Sequence, residues 1–215
     1  ELAAAMGADL ILLNGYDVRQ PRVMGFPSPQ AVDLGWLQVS TGEGITPATV
    51  KRWVGRPVGL NLEPIPLAEL AARNPGRLAT AENARSALEQ GADFLVITGN
   101  PRTGVSGTDI ATAVAEIRRA IGEDPIVLAG KMHRAGAPGL LVTEEDVDAF
   151  IEAGADGVLL PLPGTVPGFG EDEVARLARR VHQVGRVVMG TIGTSQEGSS
   201  IYVVESLALA GKQVG

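Results

Sequence analysis

An α/β fold built as a parallel (β/α)8 barrel is what this 215-residue sequence predicts, on three observations. The first is a phrase used three times: Gly7-Ala8-Asp9, Gly91-Ala92-Asp93 and Gly154-Ala155-Asp156, each followed by a short apolar run. The second is that further apolar runs at 57–62, 125–130 and 186–191 complete the series. Short apolar runs bounded by Gly and Pro read as strands buried on both faces of a parallel sheet. The third is that a helical segment leads up to each Gly of the phrase, where a helix end needs a left-handed residue. Strand and helix alternate, and Gly-Ala-Asp announces every second strand. That is an internal two-unit repeat of the kind that builds a TIM-type barrel.

Taken in order, the first strand follows Asp9 and ends at Asn14. Residues 16–44, with Pro21, Pro27, Pro29 and several Gly, form a long connection, the kind that is functional or mobile in a compact domain. Thr46-Pro47 is a helix start, an N-cap followed by Pro at the first helical position, and the helix runs to about Val54. The next strand ends in Asn61-Leu62-Glu63, residues 65–79 are an irregular connection, and Thr80 caps the helix that ends at Gln90. After the strand at 94–98, a helix spans roughly 108–121. After the strand at 126–130, a capped helix opens at Thr143. A final helix over about 171–184 returns to the strand that opens into residues 191–200.

The chain begins inside a helical segment, residues 1–6, and its tail, 206–215, matches the helix-then-Gly lead-in to another Gly-Ala-Asp strand. Six parallel strands in sequence order are therefore expected. The first would be the second of eight, and the whole chain one barrel domain lacking its first and last strands.

Composition narrows the class. Apolar residues make up 45% and aromatic ones 4%, which suits a core of Ala, Val, Leu and Ile. The net charge of -7, with no long basic run, speaks against nucleic acid as a partner. Without cysteine there is neither a disulfide framework nor thiolate chemistry. No apolar run reaches the length of a membrane span and no signal peptide is visible, so a cytoplasmic protein without membrane contact is expected, as a homo-oligomer.

In alternating barrels the chemistry sits at the C-terminal ends of the strands. Those ends supply Asn14 and Asp17, Asn61 and Glu63, Thr98 and Asn100, Lys131 and His133, and the loop from Thr191. Lys131 is the sharpest signal, because the other two lysines, Lys51 and Lys212, lie in helical segments. Directly after a buried strand its amine can lose solvation, fall in pKa and serve in imine or proton-transfer chemistry; the plainer role is a counter-ion at the rim. His133 suits an acid/base or a ligand, or a solvated loop position; Glu63 suits a base or a metal ligand, or a structural partner of Lys131. Asp17 and Asn14 are also common turn formers. The loop with Gly193, Thr194, Ser195 and Gln196 offers backbone N–H groups and hydroxyls ahead of a helix, a cradle for an anion, or else an ordinary strand-to-helix turn. Arg102 can hold a carboxylate or phosphate in a bidentate pair. No cluster has metal-ligand spacing, so no metal site is assigned.

Gly99-Asn100-Pro101 with Thr103-Gly104-Val105, Ala129-Gly130-Lys131-Met132-His133, Pro163-Gly164-Thr165-Val166-Pro167-Gly168 and the Gly193–Gly198 loop resemble a phosphoenolpyruvate phosphonomutase-like barrel family of unknown activity, sometimes labelled haloacid dehalogenase-like. The resemblance covers essentially the whole chain and implies a TIM barrel. True mutases and isocitrate-lyase-type enzymes bring an acidic cluster holding Mg2+, which only Asp17 and Glu63 match here, and loosely. The resulting expectation is an enzyme for a small anionic metabolite, an oxo acid or phosphorylated compound, with carbon–carbon lyase or isomerase chemistry. Lys131 would be the amine, Glu63 or His133 the acid/base, and Asn14, Asp17, Asn61, Asn100, Arg102, Thr191 and the 193–196 loop the binding groups. The alternatives are Mg2+-assisted phosphonomutase or hydrolase chemistry through Asp17 and Glu63, with Mg2+ the one candidate cofactor, and a non-catalytic metabolite-binding barrel.

Overall fold

In a computed structural model, the structure describes residues 2–27, 31–33, 38–99, 103–131, 141–193, 196 and 198–215. Six strands form one parallel sheet: β1 (Ile11–Leu13), β4 (Val58–Leu62), β5 (Phe94–Thr98), β6 (Ile126–Gly130), β7 (Gly157–Pro161) and β8 (Val187–Thr191). They lie in the order β1-β4-β5-β6-β7-β8, which is sequence order, so there is no reversal of the doubly wound kind. The sheet curls into a half-barrel with β1 and β8 at its two edges. Helices α2 (Pro47–Val54), α4 (Ala81–Glu89), α5 (Gly107–Ile121), α6 (Glu144–Glu152) and α7 (Glu171–Gln183) connect successive strands. Two elements flank the sheet, α1 (Leu2–Ala5) and α8 (Ile201–Val214).

Local chemistry explains the boundaries. Thr46 accepts from the Thr49 N–H with Pro47 at the first helical position, and Thr80 accepts from Asn83. Ser106–Asp109 and Thr143–Asp146 form reciprocal capping boxes at the starts of α5 and α6. Gly7, Gly91 and Gly154, the heads of the repeated phrase, all take positive φ, as a helix end before a strand requires.

Alternation along the strands sorts the core into two layers. Leu60, Leu62, Leu95, Ile97, Val127, Ala129, Val158 and Leu160 face the helices and pack with Ile117, Phe150, Leu177 and Val181. Phe94, Val96, Leu128 and Leu159 face the inside of the curl with Met189.

Two stretches depart from the sequence reading. Within the supposed connection 16–44, β2 (Ala31–Asp33) pairs antiparallel with β3 (Gln38–Ser40), Val32 opposite Val39. Strands of three residues are too short to display an alternation above the Pro and Gly around them. Residues 65–79 are not irregular but hold α3 (Ala68–Arg73) and a 3-10 turn, Pro75–Arg77. The chain then runs beside the end of β4: the Glu63 N–H donates to the Arg77 carbonyl and the Ala79 N–H to that of Glu63.

Candidate active site at the strand ends

The inner face of the half-barrel is apolar at its lower levels and turns polar at the C-terminal rim. Following Gly59, the inward positions of β4 are Asn61 and Glu63; following Phe94 and Val96, that of β5 is Thr98. These are side chains a fold does not bury without recompense: Thr98 is 0%, Asn61 1% and Glu63 2% exposed. Each has a partner. The Thr98 hydroxyl donates to Asn61 Oδ1 at 2.6 Å, and Asn61 Nδ2 donates to Asn14 Oδ1 at 3.1 Å. Asn14, at the end of β1, is exposed, so the chain of hydrogen bonds runs from the core outward to solvent. With its oxygen occupied, the Asn14 side chain has its NH2 group left to offer.

Glu63 closes the other flank. Arg77 Nη2 donates to Glu63 Oε1 at 3.0 Å, and the guanidinium is three-quarters withdrawn from solvent. Arg77 Nε is buried without a hydrogen-bond partner among the described residues. Arg77 is thus a partner of the Glu63 carboxylate, and it was the side chain that sequence reasoning missed. A single Arg after Pro75-Gly76 belongs to no periodic pattern; its one signal was its position just ahead of a helix cap.

Asp17 reaches the same corner. Its Oδ1 accepts from the backbone N–H groups of Arg19 at 2.8 Å and Gln20 at 3.2 Å. It sits against Gly76, where a Cβ would lie 1.7 Å from Oδ1, so only Gly admits this approach. Beside it, Tyr16 donates its hydroxyl to Gln90 Oε1 at 2.6 Å. Burial, and then the Asp17 charge, push the Tyr16 hydroxyl far above its ordinary pKa and keep it a neutral donor. Next to Asn14, a polar cavity of about 230 Å³ is lined by Gly15, Asp17, Gln20, Arg22, Arg73 and Asn74. A larger one of about 730 Å³ lies against the stacked rings of Phe26 and Trp53, and none of its described lining residues is titratable. The small cavity is the relevant one, since its two arginines and two amides suit an anionic group.

The other expected residues divide. Lys131 follows directly on β6, half-buried, with no hydrogen bond or ion pair to any described residue. By alternation it continues Val127 and Ala129 of the helix side, not Leu128 of the inner face, so strand geometry alone does not carry its amine inward. Thr191 ends β8 and donates to the Leu160 carbonyl at 3.2 Å. In the following loop the Gly193 N–H donates to Gln196 Oε1, the Gln196 N–H to the Gly193 carbonyl and the Ser199 N–H to that of Gln196. These three N–H groups are spent inside the loop. Asn100, Arg102, His133, Thr194 and Ser195 lie outside the described residues.

For Mg2+ the carboxylates to test are Asp17 and Glu63. The first is held by two backbone N–H groups on one oxygen and the second by a guanidinium, and among the described residues no three His, Cys, Asp or Glu converge. The described donor set does not fit the ion, and no step is derived through it. No described helix is long and apolar enough to cross a membrane.

A family model described as a domain of unknown function (DUF7916) matches residues 1–215. No curated protein matches the chain. Among solved structures, it resembles oxaloacetate acetylhydrolase with its product oxalate (12% identity, TM-score 0.53), covering 97% of this chain and 68% of that one. It also resembles a protein from Burkholderia cenocepacia J2315 provisionally described as a lyase/mutase (24%, TM-score 0.51), over 76% of this chain and 55% of that one. A third is 2,3-dimethylmalate lyase, described as a member of the PEP mutase/isocitrate lyase superfamily (15%, TM-score 0.50), over 77% and 55%. The chain thus spans little more than half the length of two of these three. At such identities the likeness shows the fold, a partial TIM-type barrel of the architecture found in that superfamily. None of the three carries the haloacid dehalogenase label.

Proposed function

The chain belongs to the family described as a domain of unknown function (DUF7916), and on that premise we propose an enzyme that acts on a small anionic metabolite, an oxo acid in the first instance, at the C-terminal rim of the half-barrel. The carrying observation is the buried Thr98–Asn61–Asn14 chain. Every lower inward rung is apolar or Gly, so stability alone would favour apolar side chains here too. The chain of hydrogen bonds instead fixes amide donors toward the mouth, with the Arg22 and Arg73 cavity beside them. Donor amides next to guanidinium groups complement carboxylate and carbonyl oxygens.

The reaction we favour is carbon–carbon bond cleavage or isomerisation, with Lys131 as the amine and Glu63, held by Arg77, or His133 as the acid/base. His133, Asn100 and Arg102 are retained as further groups of this site. The lyase and hydrolase among the fold's relatives support the class of chemistry without naming the substrate.

The test is turnover on a panel of 2-oxo and 2-hydroxy dicarboxylates, oxaloacetate and 2,3-dimethylmalate included, followed by product analysis. Cleavage of a member, abolished in Asn61→Leu while the circular dichroism stays native, is the expected result. An inert chain that binds no member of the panel would leave the non-catalytic barrel as the better reading.

A further inference from the structure

The small polar cavity next to Asn14 brings together two opposite charges that leave each other free. Asp17 and Arg73 both line it, and no ion pair joins them. The arginines around them are engaged elsewhere: Arg22 with Glu43 at 3.6 Å, Arg19 with Glu82 at 3.2 Å and Arg77 with Glu63 at 3.0 Å. Arg73, the last residue of α3, is exposed and makes no hydrogen bond or ion pair with any described residue.

Asp17 is held through one oxygen. The Arg19 and Gln20 N–H groups both donate to Oδ1, and Gly76 packs against that same atom. The Val18 N–H donates to the Gly76 carbonyl at 3.2 Å, which ties the two stretches together. Oδ2 accepts no hydrogen bond from a described residue, so a carboxylate fixed in place keeps one oxygen to accept with. The lining thus offers one free acceptor and one free bidentate donor, while Arg22 has its own counter-charge.

A carboxylate alone, drawn to Arg73, is repelled by Asp17 across a small space. A hydroxyl on the adjacent carbon turns that contact into a charge-assisted hydrogen bond. We propose that Asp17 and Arg73 form a subsite for a 2-hydroxycarboxylate end, Arg73 holding the carboxylate and Asp17 Oδ2 accepting from the hydroxyl. A volume of about 230 Å³ suits one such end of a metabolite and not the whole of it. The proposal rests on the rim being the site of a small anionic metabolite, and it narrows that ligand. The Asn14 and Asn61 amides donate to an oxo or carboxylate oxygen, whereas Asp17 selects a hydroxyl. An oxo group at this end has no proton for Asp17 and is disfavoured.

Lactate, pyruvate, propionate and alanine share one carbon skeleton and differ at the second carbon, so they isolate this subsite. They are titrated into the full chain and followed by NMR at the Arg73 Nε–H and the Gln20 and Asn74 backbone amides. One enantiomer of lactate should bind about tenfold or more tightly than pyruvate or propionate. Asp17→Asn keeps an oxygen for the two backbone donors, so its NH2 replaces Oδ2, and the lead of lactate over pyruvate should be lost. Arg73→Met, at an exposed position, should weaken both acids alike by about tenfold while the circular dichroism is unchanged. Equal affinities for lactate and pyruvate in the wild type, or no binding of either, overturn the proposal. So does binding that ignores Arg73→Met, or alanine outranking lactate, which would put an ammonium in place of the hydroxyl. The readout is binding and not turnover. An inert chain that ranks lactate first therefore counts against the enzymatic role alone, and an active chain that binds the acids equally counts against this subsite alone.

Discussion

The two ends of the sheet treat charge differently. At the N-terminal end, Asp156 accepts from a backbone N–H and is paired with both Arg118 and Arg186, while Arg118, 5% exposed, also donates to the carbonyls of Gly154, Gly122 and Pro125. Asp93 is tied in the same way to Val58 and Lys51. Both carboxylate oxygens of Asp93 and of Asp156 serve the fold. At the C-terminal end the polar row leads outward instead, from buried Thr98 to exposed Asn14, and ends in donors with no structural duty. The difference separates charge that holds strands in register from polarity that awaits a ligand, although both are equally polar in sequence.

The largest expected effect breaks the structural end. Asp156→Ala strands a buried guanidinium and should cost about 3–5 kcal/mol in denaturant melts. Asp9→Ala, the same phrase where the Asp is exposed and has no partner among the described residues, should stay within about 0.5 kcal/mol. Equal losses at the two positions would show that the Asp is not acting through its neighbour strand.

The next effect belongs to the other end. Lys131→Met should lower turnover about 100-fold or more, as loss of a proton-transfer or covalent group does, with little change in melting. Arginine at that position should not restore it, since a guanidinium forms no imine. If borohydride with a carbonyl substrate adds no mass to the wild-type chain and Lys131→Met turns over normally, Lys131 is a rim cation only. Glu63→Gln leaves the Arg77 guanidinium without its counter-charge and should cost about 2–3 kcal/mol, less than a fully buried pair because Arg77 keeps some solvent.

How much of this was legible beforehand follows the same divide. Strand order, the Thr46, Thr80 and Thr143 caps and the left-handed Gly7, Gly91 and Gly154 depend on local patterns, and local patterns are visible in a sequence. Asn14, Asn61 and Thr98 could be placed at one mouth because their strand ends are shared. Their mutual hydrogen bonds could not, because register between strands is a tertiary outcome. The Asp of Gly-Ala-Asp read as a boundary mark, since its partners lie one strand away. Arg77 escaped because it is brought to Glu63 by a turn that the sequence shows only as Pro and Gly.

Acid sharpens the comparison more gently. Burial alone would raise the Asp93 carboxyl, but the Lys51 hydrogen bond, the Val58 N–H and the Lys51 charge hold it below the usual carboxylate range. Its folded pKa is depressed, so its contribution is present above the unfolded value and lost as pH falls through the folded one. Stability should therefore decline below about pH 4, with a shallower slope in Asp93→Asn. At the rim, Thr98→Val removes one buried hydroxyl and leaves Asn61 Oδ1 without its donor, a loss of about 1–2 kcal/mol, smaller than that expected for Glu63→Gln.

The central claim is that the rim polarity exists for an acceptor-rich ligand, and the side-chain amide resonances of Asn14 and Asn61 report on it directly. In a titration of the full chain with oxalate followed by 15N-detected NMR, both NH2 groups should shift together and saturate, while the backbone N–H groups of Val58 and Val127 at the opposite end stay still. Shifts confined to that opposite end, or amides of Asn14 and Asn61 that never move, would contradict the account.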